Sequence, residues 1–345
     1  MEEDLTMYSM TDIQPYNLPD ELLFGSLRST TEYSRNELLA EGAYSQVYRA
    51  KDNKLKKQVV LKFLSPSRSS SILHKDIFRE ISVLRNLNHE NIVELYEVAI
   101  ATTFNNLCLV LEYCPQSLSR ILNQSVDTLG HDQVKCIAKH LFRGLRYLHK
   151  NHIAHRDIKT SNLMVSDKGV LKIIDFGLSR HCTPQNQATS PQVITRWYKP
   201  PEILLEAPTH GTEVDLWSAG CVIVELLTKE ILFKGETDLQ QINLIIDVLG
   251  KPVPNTWPDI VHCRVYKKLR LADQPFYRLE EKLQTQLKCG TAVPMLLKLF
   301  KYNPAQRQTA EECLQEEWFQ KAPYPSKNIS LTANNFSCPA TLTLM

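Results

Sequence analysis

A run of eight residues near the middle of the chain carries a carboxylate, an ammonium group and an amide at short spacing: His155-Arg156-Asp157-Ile158-Lys159-Thr160-Ser161-Asn162. The carboxylate of Asp157 could accept or orient the proton of a hydroxyl group. Lys159 could neutralise a phosphate, and Asn162 offers an amide oxygen to a metal ion. This set suits phosphoryl transfer, a reaction in which the protein mainly positions the reactants and neutralises charge.

A second oxygen ligand follows a short apolar run. Asp175-Phe176-Gly177 comes after Leu171 to Ile174, which reads as a strand. Mg²⁺ prefers oxygen donors and completes its coordination with phosphates and water. Asn162 and Asp175 are therefore predicted to be metal ligands.

A lysine and a glutamate earlier in the chain could provide the contact to the remaining phosphates of a nucleoside triphosphate. Lys62 ends the β-prone run that begins at Val59, and Glu80 lies in the helical pattern that follows. We expect Glu80 to hold Lys62 by an ion pair, so that the lysine reaches the α- and β-phosphates of ATP.

The elements that must position these residues change character along the chain. From Tyr33 to Leu111 the pattern is strand-rich, apart from one helical stretch between Ile77 and Leu87. Short strands are predicted at Leu38-Leu39, Val47-Tyr48, Val59 to Leu61, Ile92-Val93 and Leu107 to Leu111. After Tyr113 helices dominate, beginning with an amphipathic pattern from Val134 to Leu148. The predicted class is α+β, with a small β-rich lobe and a larger α-helical lobe.

Composition narrows the protein class. The 345 residues contain 40 Lys and Arg against 38 Asp and Glu, and this near balance disfavours nucleic acid or a membrane surface as a partner. The apolar runs are too short to span a bilayer, and the acidic N-terminus lacks a signal-peptide pattern. Nine cysteines without a CxxC pair favour reduced thiols. We therefore expect an intracellular protein, located in the cytoplasm, the nucleus or both.

Domain limits follow from the same patterns. Residues 1–32 are interpreted as a flexible N-terminal extension, 33–319 as the main domain and 320–345 as a C-terminal tail. Within the main domain, the β-rich lobe is placed at 33–113 and the helical lobe at 114–319.

The order and spacing of the motifs resemble those of the eukaryotic protein kinases: HRD-x-K-x-x-N is followed thirteen residues later by Asp-Phe-Gly. Pro200-Pro201-Glu202 resembles the family's APE element, and Arg307 stands where the family places an arginine to pair with that glutamate. Asp215 begins a segment similar to the helix that supports the catalytic loop. The resemblance implies the bilobal protein kinase fold, ATP and Mg²⁺ as cofactors, and protein substrates. Lys159 is the placement typical of serine/threonine kinases and disfavours a tyrosine kinase.

Two further segments are similar to the cyclin-dependent and mitogen-activated kinases, and most of all to cyclin-dependent kinase relatives. They are Thr195 to Glu202 and Phe78 to Leu84. The resemblance adds Thr195 to Asp157, Lys159 and Asn162 as catalytic residues. It also implies the residues that bind ATP, which are Leu39, Gly42, Val47, Val60, Lys62, Glu80, Glu112, Cys114 and Met164.

The resemblance also implies a phosphorylation switch. Ser190 falls at the family's activating phosphosite, and arginines stand at all three matching phosphate-binding positions, Arg79, Arg156 and Arg180. A phosphoserine could order a loop through charge-assisted hydrogen bonds to these arginines. Two alternatives stay open: the arginines could form only local salt bridges, and Ser190 could be a target of another proline-directed kinase.

Three departures qualify the resemblance. Only Gly42 remains of the three glycines in the loop that covers the phosphates, with Ala40 and Ser45 at the other two positions. The segment before Glu80 differs from the PSTAIRE sequence that contacts cyclins, so a cyclin or cyclin-like activator is an open possibility. Lys199 replaces an arginine of the pocket for a proline after the phosphorylated residue. The predicted function is an active, proline-directed serine/threonine kinase. The alternative is a pseudokinase scaffold with weakened ATP binding.

Overall fold

The computed structural model describes residues 7–8, 15–16, 27–42, 45–64, 72–101, 107–125, 128–182, 195–268, 271, 274–287, 290–330 and 342–343. The chain divides into two compact units. The first comprises residues 1–87, 94–113 and 339–345, and the second comprises 88–93 and 114–338. The first unit is built mainly from strands and the second mainly from helices, which confirms the predicted α+β class.

The strands of the described residues are β1 (Met7–Tyr8), β2 (Pro15–Tyr16), β3 (Arg28–Ser29), β4 (Tyr33–Gly42), β5 (Ser45–Asp52), β6 (Gln58–Leu64), β7 (Leu95–Ile100), β8 (Leu107–Glu112), β9 (Gln116–Ser117), β10 (Ile153–Ala154), β11 (Leu163–Val165), β12 (Leu171–Ile173), β13 (Arg180–His181) and β14 (Leu342–Thr343). The helices are α1 (Ile72–Arg85), α2 (Leu118–Gln124), α3 (His131–Lys150), α4 (Pro201–Leu204), α5 (Glu213–Thr228), α6 (Asp238–Leu249), α7 (Leu279–Gln286), α8 (Val293–Leu299) and α9 (Ala310–Leu314).

The first unit contains a seven-stranded sheet with the order β14-β4-β5-β6-β8-β7-β3. The five central strands pair antiparallel, and β3 and β14 add in parallel at the two edges. In β6 the alternating residues Val59, Leu61 and Phe63 are buried, and they join Ala50 and Val110 in one apolar cluster. This period of two is what a strand with one covered face requires.

The prediction of a strand at Ile92-Val93 is wrong. Ile92 forms only an isolated bridge with Ile173, and β7 begins at Leu95. The backbone N–H of Val93 donates to the carbonyl of Ile173, and the N–H of Ile173 donates to the carbonyl of Asn91. These bonds tie the segment to β12 of the second unit. Its β-branched residues therefore do not belong to the seven-stranded sheet.

Helix α3 is the longest helix among the described residues and confirms the predicted amphipathic pattern. Its apolar stripe, which includes Val134, Ile137, Leu141 and Leu148, is fully buried. Helix α5 is apolar almost all round, as expected for a helix in the centre of a unit. No helix in the described ranges is long and apolar enough to cross a lipid bilayer.

Structure extends past the expected domain limits at 33 and 319. Arg28 of β3 pairs with Asp52 and Glu97 at 2.9 Å each. On the other side, Lys321 to Ser330 contact the start of α3. Neither contact has a periodic pattern that the sequence could reveal.

Candidate active site

The loop that carries the proposed catalytic residues is held from below by Asp215 of α5. The Asp215 carboxylate, fully buried, accepts the backbone N–H groups of His155 at 2.8 Å and Arg156 at 2.7 Å. The ring of His149 in α3 bonds to the same carboxylate at 3.0 Å. The predicted supporting role of the Asp215 helix is confirmed by these contacts.

Burial alone would raise the pKa of Asp215. The hydrogen bond from His149 and the N–H of Arg156 outweigh burial and hold that pKa below its ordinary value. A permanent carboxylate therefore anchors the loop. Arg156 has a φ of +70°, a conformation that costs a non-glycine residue about 1–2 kcal/mol. The two bonds to Asp215 help to hold the loop in this shape.

Three side chains meet around Asp157. The amide nitrogen of Asn162 donates to the backbone carbonyl of Asp157 at 2.9 Å and to its Oδ2 at 2.8 Å. The hydroxyl of Thr195 donates to Oδ1 at 3.1 Å. Lys159 Nζ lies 2.8 Å from Oδ2 and donates to the Thr195 hydroxyl at 2.8 Å. The carboxylate is thus fixed in orientation, with an ammonium group beside it.

The side chains of Asn162 and Asp175 offer the kind of donor that a hard cation prefers. The two hydrogen bonds of Asn162 to Asp157 use its amide nitrogen and not its oxygen. The N–H of Ile174 donates to the carbonyl of Asn162 at 3.0 Å, which ties the residue before Asp175 to Asn162. Two such oxygens suit Mg²⁺, which takes few protein ligands and shares phosphate oxygens. Within the described ranges no cluster of three or more His, Cys, Asp or Glu side chains is suited to a metal.

The ring of His155 connects the two motifs. Its Nδ1 accepts the N–H of Asp157 at 3.2 Å, so Nε2 carries the proton and donates to the carbonyl of Ile174 at 3.0 Å. The ring also packs edge-on against Phe176, with centroids 4.9 Å apart. One imidazole therefore joins the backbone before Asp175 to the backbone of Asp157.

The first unit contains the predicted ion pair between β6 and α1. Lys62 Nζ lies 2.6 Å from Oε1 of Glu80, and the side chains are only 13% and 6% exposed. Because Lys62 and Glu80 are 18 residues apart in the sequence, their contact depends on how α1 packs beside the sheet. The expected pairing of Lys62 with Glu80 is confirmed.

The residues expected to line the adenine pocket fall in both units. Leu39, Val47, Val60 and Glu112 lie in β4, β5, β6 and β8 of the first unit and are partly exposed. Gly42 ends β4, and the residues after it, Ala43 and Tyr44, lie outside the described ranges. Cys114 and Met164 belong to the second unit.

The register of the sheet places one of these residues beside the lysine of the ion pair and another beside Leu111 of β8. Val47 pairs with Lys62, and Val60 pairs with Leu111. The N–H of Glu112 donates to the carbonyl of Glu94, so a bond from Glu112 to adenine would use its own carbonyl.

Of the proposed phosphorylation switch, the structure describes the three arginines but not the serine. Ser190 lies outside the described residues. Arg79 lies in α1 of the first unit, and Arg156 and Arg180 lie in the second. Arg180 pairs with Ala154 across β10 and β13, which brings it to the start of the catalytic loop.

Two acidic residues that contact the surroundings of Thr195 have no clear signal in the sequence. Glu225 of α5 accepts hydrogen bonds from Thr160 at 3.2 Å and from Tyr198 at 2.7 Å, and burial raises the pKa of this carboxyl group. Asp238, at the start of α6, forms ion pairs with Lys199 at 3.1 Å and with Arg196 at 3.0 Å. Together the two carboxylates hold Arg196, Tyr198 and Lys199, which follow Thr195 closely in the chain.

The predicted pair of Glu202 and Arg307 is confirmed. The two side chains form a bidentate ion pair, with both distances 2.6 Å, and are 1% and 0% exposed. The guanidinium group also lies over the ring of Trp217, 5.1 Å from its centroid. This pair links α4 to the segment between α8 and α9, within the second unit.

Comparison with known proteins agrees with this geometry. Residues 33–319 match the protein kinase domain family. Cyclin-dependent kinase 10 of Homo sapiens is 37% identical over 310 residues, which cover 90% of this chain and 86% of that protein. A chain of the yeast RNA Pol II CTD kinase CTDK-1 complex superposes with a TM-score of 0.78 at 32% identity, covering 89% of this chain and 98% of that one. A chain of the Chaetomium thermophilum CAK complex bound to ATP-gamma-S gives 0.79 at 30% identity, covering 87% and 94%.

Proposed function

The chain belongs to the protein kinase family, as a serine/threonine kinase related to the cyclin-dependent kinases, and we propose that it phosphorylates its substrates from Mg·ATP with Asp157 as the catalytic carboxylate. The observation that carries this proposal is the closed network of Asp157, Lys159, Asn162 and Thr195. A pseudokinase scaffold has no need to keep a carboxylate so oriented.

Each side chain then has one task. Asp157 orients the substrate hydroxyl and accepts its proton, and Lys159 stabilises the negative charge that develops on the transferred phosphoryl group. Lys62, held by Glu80, binds the α- and β-phosphates. Asn162 and Asp175 supply oxygens to Mg²⁺, which neutralises phosphate charge when bound.

The nucleotide base is bound by the apolar residues Leu39, Val47, Val60 and Met164, together with backbone groups of Glu112 and Cys114. Gly42 is the glycine of the phosphate-covering loop. The partial exposure of the three side chains from the sheet supports this role, because a pocket wall must face a ligand. The CAK complex to which the chain is similar is bound to ATP-gamma-S, which supports ATP as the nucleotide.

The substrates are serine and threonine residues of proteins, and we include proline-directed specificity in the proposal. Lys199 keeps a positive charge at the position of the family's arginine, and Asp238 fixes its ammonium group. A lysine lacks the planar fork of an arginine, so the preference for proline should be weaker than with arginine. The similar yeast chain comes from an RNA Pol II CTD kinase complex, which makes this polymerase domain a sensible test substrate and supports a nuclear location.

Activation is proposed to need two events. Phosphorylation of Ser190 would supply an anion for Arg79, Arg156 and Arg180, and a cyclin or cyclin-like protein would bind as activator. The names of the relatives, which are cyclin-dependent kinases, support the second event. The pairing of Arg180 with Ala154 supports the first event, because it brings the backbone of Arg180 to the start of the loop that contains Arg156.

The test is transfer of radiolabelled phosphate from ATP to two peptides that differ only in a proline or an alanine after the serine. The proposal expects transfer that needs Mg²⁺, is lost in Asp175→Ala and favours the proline peptide. Equal background incorporation by the wild type and Asp175→Ala, with and without cyclin, contradicts it. Transfer without a preference contradicts only the proline-directed part.

A further inference from the structure

The ten residues Lys321 to Ser330, here called the strap, run along the start of α3. Lys135 of α3 is completely buried, and its ammonium group donates to the carbonyls of Lys321 at 2.6 Å and Pro323 at 2.9 Å. A buried ammonium group without acceptors would cost several kcal/mol. The first part of the strap is therefore an integral part of the second unit.

The middle of the strap is bound by two side chains of the first turn of α3. The Ser326 hydroxyl donates to the carboxylate of Asp132 and accepts from the amide of Gln133 at 2.8 Å. The backbone N–H of Ser330 donates to Oε1 of Gln133 at 2.8 Å. Gln133 thus holds the strap at two points four residues apart.

The end of the strap lies on the turn between β11 and β12. The N–H of Ile329 donates to the carbonyl of Gly169 at 2.8 Å, and Ile329 is only 5% exposed. Gly169 has a φ of +72°, and a Cβ atom at this position would lie 2.5 Å from the carbonyl oxygen of Ile329. Two backbones therefore meet here at a distance that only glycine permits.

The hairpin under the strap carries both proposed metal ligands. Asn162 directly precedes β11, and Asp175 follows β12 by two residues. The turn is closed by a bond from the N–H of Ser166 to the carbonyl of Val170 at 2.9 Å. Asn162 is four residues, about 13 Å of strand, from Ser166. The two strands pair along their whole length, from Leu163 with Ile173 to Val165 with Leu171.

We propose that the strap is a positioning element for the active site. By fixing the β11–β12 turn through Ile329, it holds Asn162 and Asp175 at the spacing that Mg²⁺ requires. Ile329 and Gln133 are positioning residues, since neither touches the reacting groups. The effect on metal binding rests on the proposed function, whereas the effect on the hairpin does not.

The test uses the full chain with Ile329→Pro, which removes the N–H that bonds Gly169, and Ile329→Val as the matched control that keeps it. Gln133→Ala is a second variant that loosens the strap from α3 without altering the strap itself. Amide hydrogen exchange is measured over Leu163–Val165 and Leu171–Ile173. The Mg²⁺ concentration for half-maximal activity is measured at saturating ATP and peptide.

The proposal expects exchange in the hairpin to accelerate about three- to tenfold in Ile329→Pro and Gln133→Ala, the range that one net hydrogen-bond contribution allows. The half-saturating Mg²⁺ concentration should rise about threefold or more, below the 10- to 100-fold typical of a direct supporting contact. Ile329→Val should match the wild type in both. Unchanged exchange in both variants overturns the mechanical link, and faster exchange with unchanged Mg²⁺ dependence overturns the role at the active site. An inactive wild type refutes the proposed function alone, because exchange still reports on the strap.

Discussion

The side-chain amide of Asn162 donates to both the backbone carbonyl and Oδ2 of Asp157, at 2.9 and 2.8 Å. These two bonds orient the carboxylate of Asp157 and use the amide nitrogen of Asn162, not its oxygen. One side chain therefore couples the position of the proposed base to that of a proposed metal ligand.

Asn162→Ala should lower kcat by about 100-fold, because it removes both functions, each comparable to a supporting contact of a metal site. Asn162→Asp keeps an oxygen for the metal but loses the donors to Asp157. It should therefore retain Mg²⁺ dependence close to that of the wild type while kcat still falls. Steady-state kinetics over a Mg²⁺ series separates the two effects, with Ser161→Ala as the neighbouring control. A wild-type kcat in Asn162→Asp would show that the donors are dispensable.

Glu80→Gln should raise the KM for ATP, because an amide holds the Lys62 ammonium less firmly than the carboxylate at 2.6 Å. Lys62→Met should abolish activity, since the α- and β-phosphates then lose the ammonium group that binds them. Glu80→Gln should keep the KM for the peptide. The check is a full kinetic matrix in ATP and peptide, in which an unchanged ATP dependence for Glu80→Gln contradicts the assigned role.

Arg307→Met should destabilise the protein by about 3–5 kcal/mol, because it leaves the buried carboxylate of Glu202 without its partner. Replacing both residues by Met should restore part of this loss. The exposed pair of Arg146 with Glu311 is the matched control, and Arg146→Met should cost at most about 1 kcal/mol. Urea unfolding measures all four proteins, and equal effects of the two arginine variants would contradict the argument from burial.

The buried His210 should make stability depend on pH. Burial and the charge of Arg156 lower the pKa of His210 from 6.5 to about 4. Below pH 6.5 the unfolded chain binds a proton that the folded chain refuses, so the free energy of unfolding should fall by up to about 3 kcal/mol between pH 6.5 and 4. His210→Gln should flatten this part of the profile, whereas His181→Gln at an exposed site should not. Parallel profiles for His210→Gln and the wild type would rule out the contribution.

Ser190→Ala should lower the activity of protein made in a eukaryotic host, because the three arginines then have no phosphate to bind. Mass spectrometry of the wild type establishes whether Ser190 carries phosphate, and Thr189→Ala serves as the adjacent control. Full activity of Ser190→Ala, with phosphate present on wild-type Ser190, would contradict the switch.

Much of the site could be predicted because its residues follow a fixed order and spacing. The pairs Lys62 with Glu80 and Glu202 with Arg307, and the support by Asp215, follow from motifs. The contacts of the strap could not, since Lys135 donates to backbone carbonyls 186 and 188 residues away and any residue type supplies a carbonyl. Ile92-Val93 misled the strand prediction because β-branched residues fit an isolated bridge as well as a sheet.

The most direct test of the catalytic role of Asp157 compares the wild type with Asp157→Asn, a variant of equal size. Single-turnover phosphoryl transfer to a peptide is measured beside equilibrium binding of Mg·ATP. A catalytic carboxylate predicts that the transfer rate falls about 100-fold or more, as for loss of a general base, while Mg·ATP affinity stays within about twofold. Equal transfer rates for the two proteins would contradict the assignment of Asp157.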